Sequence, residues 1–106
     1  MMRLENICEV IDGIEHNISE ARGKIKRAWE MRGICKPMAD WQRDMAAGHL
    51  AYNTIGGKLA GELITQARGE YAGNERALGM IDAWEKWMHE AMSEMAEVRA
   101  MIDMYK

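Results

Sequence analysis

Phenylalanine is absent from these 106 residues, proline occurs once (Pro37), and there are two cysteines, Cys8 and Cys35. Residues with a strong strand preference are sparse, while Ala, Met, Glu, Lys and Arg are frequent, a balance that favours helix over sheet. Two cysteines make no disulfide framework and fit a reducing compartment, so the expected location is cytoplasmic. On one continuous helix they would lie about 40 Å apart and could not bond to each other within one chain. The only serines, Ser19 and Ser93, stand in no nucleophile elbow. No run of about 18 apolar residues exists to cross a membrane. Charges interrupt the single apolar run at the N-terminus, which therefore does not resemble a signal peptide. Gly56-Gly57 is not followed by the Lys-Ser/Thr pair of a phosphate-binding loop. The net charge of −3 lacks the positive excess that non-specific nucleic-acid binding requires.

What remains is 48% hydrophobic and 29% charged, enough to bury a core in one domain spanning residues 1–106. Residues 3–32 place Leu4, Ile7, Ile11, Ile14, Ile18, Ala21, Ile25 and Ala28 at alternating steps of three and four. This is a heptad seam, widened by Val10, Trp29 and Met31. Gly33 and Pro37 mark its end. Residues 75–105 repeat the pattern with Ala77, Ile81, Trp84, Met88, Ala91, Met95, Val98, Ile102 and Tyr105. Asn74 is the expected N-cap, and Met80, Trp87 and Met101 widen one flank.

The middle segment, 38–68, is less regular. Its seam is expected at Met38, Trp41, Met45, Gly48, Tyr52, Ile55 and Leu59, slipping where Glu62 holds the next position, and Asp40 is a candidate cap. Gly56-Gly57 either breaks or kinks the helix, or Gly57 lets it pass close to a neighbour together with Ala47, Ala51 and Gly61. Gly69, Gly73 and Asn74 read as a turn. The expected fold is all-α: an antiparallel up-down-up bundle of three long helices.

Charges are segregated. Arg22, Lys24, Lys26, Arg27, Arg32 and Lys36 form a basic stretch. Glu90, Glu94 and Glu97 share a face of an acidic third helix. Each is either a solvated face or a surface for a charged partner. Trp41, Trp87 and Met101 are the candidate apolar anchors, because Trp and Met favour binding surfaces and these helices have seams supplied by other residues. The candidate binding residues are thus Trp41, Trp87, Met101, Arg22, Lys26, Arg27, Glu90, Glu94 and Glu97. His16, His49 and His89 fall one per segment with no ligand spacing, and the acidic face lacks a matching cluster on a second helix. No metal or other cofactor is expected.

One motif carries enzyme chemistry. Arg43-Asp44-Met45-Ala46-Ala47-Gly48-His49, followed by Tyr52, resembles the Arg-polar-x(n)-His motif of the HEPN-domain ribonucleases. These are all-α and often dimeric. The resemblance covers seven residues and lies earlier in the chain than the family's motif usually does. It implies that Arg43 steadies charge on an RNA phosphate and that His49 acts as acid or base.

Three functions follow as expectations. The first is a small non-enzymatic protein-interaction module that binds a host protein. The profile of short size, helix, acidity and no assembled chemistry is shared by phage or mobile-element inhibitors and accessory proteins, anti-CRISPR proteins among them. The second is an HEPN-like ribonuclease using Arg43 and His49. The third is a structural homo-oligomer, with a homodimer its simplest form.

Overall fold

The isoleucine seam of the first segment becomes one side of a three-helix bundle. A computed structural model describes residues 3–105. It contains α1 (Glu5–Met31), α2 (Lys36–Glu70) and α3 (Glu75–Met104). Asn17 meets Asn53 and Ile14 lies against Gly56, so α2 runs antiparallel to α1. Glu15 reaches Trp87 and Arg22 reaches Glu94, so α3 runs parallel to α1 and antiparallel to α2. The expected up-down-up topology is the observed one, in a rod of 58 × 19 × 16 Å.

Every expected seam position of α1 from Ile7 to Ala28 is buried. On α3, Ala77, Ile81, Ala91, Val98, Ile102 and Tyr105 are buried, and Trp84, Met88 and Met95 pack half-buried against them. Burying each isoleucine contributes about 1.5–3 kcal/mol. An exposed ion pair contributes at most about 1 kcal/mol, so the apolar seam, not the charge pattern, sets the packing.

The second helix departs from expectation in two ways. It starts at Lys36 rather than 38, with Cys35 as the N-cap residue and Pro37 inside the first turn. Proline is accommodated there because its missing N–H would have had no helical partner. Asp40 is therefore not the cap; it lies within the helix. The helix is also unbroken through Gly56-Gly57 and continues past Gly69 to Glu70. Gly73, at φ +86°, makes the turn, and the Asn74 side chain accepts from the Ala77 N–H at 3.1 Å, as expected of a cap.

The larger correction concerns which face of α2 is buried. The expected seam of Met38, Trp41, Met45, Tyr52, Ile55 and Leu59 is exposed. The core takes instead Ala39, Gln42, Ala46, Leu50, Asn53, Ala60, Ile64 and Ala67. Over its first half this is the expected seam moved by one residue, about 100° round the helix. The reason is volume. The α1 ridge is nearly all isoleucine, and the inward face of α2 intersperses small Ala39, Ala46, Ala60 and Ala67 among its larger side chains, which lets the two helices interdigitate closely. Gly56 and Gly57 serve the same end. A Cβ on Gly56 would stand 3.1 Å from Ile14 Cγ1, and one on Gly57 3.3 Å from Met92 Cε. Gly61 and Ala51, also expected at the crossing, are not there: Gly61 faces open space and Ala51 is exposed.

Replacing these glycines separates helix propensity from packing. Gly61→Ala should stabilise the protein by about 0.5–1 kcal/mol. Gly56→Ala gains the same propensity but must displace a branched, fully enclosed Ile14. Its net effect should be a loss of up to about 2 kcal/mol. Gly57→Ala should fall between them, because the end of Met92 is flexible. Urea denaturation of the three variants measures this order; equal gains at all three would contradict the close approach.

Candidate functional site

The displaced stripe is the most distinctive surface of the molecule. On α2, Trp41 is 54% exposed, Tyr52 and Ile55 are each 71% exposed, and Met38, Met45 and Leu59 are partly so. They keep the three-four spacing of a helix-packing seam, but no helix of the bundle lies on them. Around Gly48 the stripe sinks into an open hollow of about 260 Å³, walled by Trp41, Asp44, Met45, His49 and Tyr52. The missing side chain of Gly48 leaves the space, and the rings of Trp41 and Tyr52 make the rim apolar.

One wall is fixed from the core. Asn53 is 1% exposed and donates from Nδ2 to the Ile14 carbonyl at 3.0 Å. Its Oδ1 must then accept, and it does so from Asn17 Nδ2 at 3.2 Å. Asn17 therefore turns its Oδ1 toward His49, whose Nδ1 lies 3.3 Å away and is the donor. A backbone carbonyl of α1 thus sets the orientation of a ring at the surface. A buried Asn in an otherwise apolar seam also fixes the α1–α2 register, since a shifted pairing would leave its amide unsatisfied.

The N-terminal end of α2 is held by a second group. Tyr105 donates its hydroxyl to Asp40 Oδ1 at 2.8 Å, and Lys36 Nζ pairs with the same carboxylate at 3.1 Å. The Tyr105 ring meets Trp29 edge-on at 5.4 Å, with the Arg32 guanidinium 5.4 Å from it and that of Arg43 at 5.9 Å. The Tyr105 hydrogen bond, and then Lys36, hold the Asp40 carboxyl below its ordinary range. Burial first, and the bond to Asp40 second, push the Tyr105 phenol up.

The sequence-derived candidates separate in space. Trp41 stands on the outer stripe, whereas Trp87 and Met101 pack half-buried against the core, and Trp87 Nε1 donates to Glu15 Oε1. Arg22 approaches Glu94 at 3.9 Å and Glu97 at 4.0 Å, so part of the basic stretch faces part of the acidic helix. Lys26, Arg27 and Glu90 are exposed. The motif residues do not converge. His49 and Tyr52 share the hollow, but Arg43 lies against Tyr105, with Nε 3.0 Å from Asp44 Oδ1. Among the described residues, no three His, Cys, Asp or Glu side chains are placed to hold a metal ion. The outer stripe was legible as an apolar heptad pattern, but its direction was not, because spacing alone does not say which of two adjacent stripes meets α1.

Compared with protein-family models, with curated proteins and with solved structures, the chain matches none.

The Asp40–Tyr105 contact makes a pH-dependent contribution. A carboxyl held below its unfolded value contributes stability that is complete above that value and is lost as pH falls through the folded one. Tyr105→Phe should lower the melting temperature at neutral pH. The gap from wild type should hold down to about pH 4, near the ordinary aspartate value, and narrow below it. Thermal melts across that range test this; a gap that does not change in acid would contradict the assignment.

Proposed function

We propose that the protein is a non-enzymatic interaction module that docks an apolar helical segment of a protein partner along the outer face of α2. The observation that carries this reading is the seam of Trp41, Met45, Tyr52, Ile55 and Leu59, spaced for helix packing and left outside the bundle. Large apolar side chains scattered singly on a surface mean little. A contiguous stripe in a chain with a core already supplied by other residues marks a binding face. The groove-and-anchor arrangement suits an amphipathic helix, which would place an apolar side chain into the hollow at Gly48.

This class includes inhibitors and accessory factors, phage-encoded ones among them, that act by occupying a host protein's surface. Small size, a net charge of −3 and the separate neighbours of Arg43 and His49 support it over catalysis. The two free thiols fit a reducing cytoplasm. None of the described helices is long and apolar enough to cross a membrane.

Site-specific photo-crosslinking in cells tests the reading. Ile55→benzoylphenylalanine should give a protein adduct, and the same replacement of exposed Lys86, on α3, should give none. Absence of adducts from Ile55, Tyr52 and Trp41 alike would overturn it.

A further inference from the structure

The order of residues along the outer stripe narrows the choice of partner. Resting on the docking reading above, we propose that the helix bound there is α2 of a second copy, in an antiparallel pair about a two-fold axis level with residue 50.

Size is the first argument. With roughly 200 Å² for each large side chain, the exposed fractions along the stripe leave about 600 Å² of apolar surface per chain. A standard interface buries about 800 Å² per partner, so the stripe and its polar rim reach the size of a stable dimer.

Shape is the second. A two-fold interface must be complementary to itself. Laid antiparallel with the axis level with residue 50, Trp41 of one copy stands opposite Leu59 of the other, Met45 opposite Ile55, and Gly48 opposite Tyr52. Each layer then joins the two alternating seam positions, as antiparallel helix pairs do. The two layers nearest the axis set the seam's one glycine against its most protruding ring, so that each copy's Tyr52 fills the other's hollow at Gly48. A parallel pair would put Gly48 beside Gly48 and Tyr52 beside Tyr52, one layer empty and the next crowded.

Charge is the third. On the flank away from the core, the positions bordering the seam are Asp44, Ala51 and Lys58, at seven-residue intervals. Asp44 and Lys58 are equidistant from Ala51 and opposite in sign. In the antiparallel pair the Asp44 and Lys58 backbones of the two copies stand about 3 Å out of level, and the lean of each side chain toward its own helix N-terminus brings Asp44 of each copy toward Lys58 of the other, twice, with the small alanines next to the axis. The outer stripe ends at Glu62, which confines the seam to the segment that this pairing uses.

Light scattering and sedimentation equilibrium on the full chain test the proposal. Wild type should be a dimer. Ile55→Lys, at a site 71% exposed and outside the core, should be a helical monomer. Asp44→Lys and Lys58→Asp should each raise the dissociation constant on the order of tenfold, by turning two attractive pairs repulsive. The double variant Asp44→Lys/Lys58→Asp should return it to near the wild-type value. A wild-type monomer at all concentrations, or a dimer indifferent to Ile55→Lys, overturns the proposal. A double variant as weak as the singles overturns the antiparallel pairing. A monomer that still gives an adduct with a different protein at Ile55 would sink the self-association and leave the docking reading standing.

Discussion

The isoleucine ridge of α1 determines most of what the rest of the chain does. Ile7, Ile11, Ile14, Ile18 and Ile25 are all essentially sealed from solvent. Small residues interspersed along α2, Ala39, Ala46, Gly56 and Ala60, let that ridge of branched side chains interdigitate closely. The close approach of the two helices brings the Asn17–Asn53 pair within hydrogen-bonding distance, and through it orients His49. Ion pairs come second: Arg68 bridges Asp82 and Glu85 at the far end of the bundle, at 2.7 and 3.1 Å, but these groups are partly solvated.

That constraint has a consequence on the other side of α2. Once the small residues are committed to the core, the large ones at the neighbouring positions are turned outward. Trp41, Met45, Tyr52, Ile55 and Leu59 are therefore exposed without being misplaced. The core closes without them, and burying them inward would force the two long helices apart. A helix with two apolar stripes about 100° apart can pack in its own bundle and still offer a seam to another helix.

The helix faces legible in the sequence are those where one stripe dominates. On α1 no second apolar stripe competes with the isoleucines, and on α3 the seam from Ala77 to Tyr105 is continuous, so period alone located both faces. Asn74 was legible as a cap because its chemistry is local. On α2 both stripes have helical period, and ranking by side-chain size selects the wrong one. The choice is made by the shape of α1, which lies far away in sequence. Gln42 and Asn53 were invisible as core residues because polarity points outward; for Asn53 the partner that reverses this is the Ile14 carbonyl, distant in sequence. Pro37 looked like the end of one element and is the first turn of the next. The acidic third helix looked free, but Glu94 and Glu97 lie near Arg22. The Arg43–His49 motif was legible as a spacing, and six positions along a helix carried the two side chains to different neighbours.

The proposed pairing covers the outer seam of α2 with the same seam of a second copy. Fluorine NMR of protein labelled with 5-fluorotryptophan tests it directly, because the chain's four tryptophans occupy four distinct surroundings. Pairing along α2 predicts that the Trp41 signal moves with protein concentration while those of Trp29, Trp84 and Trp87 stay fixed. A Trp41 signal that does not change with concentration, or a change centred on Trp87, would contradict it.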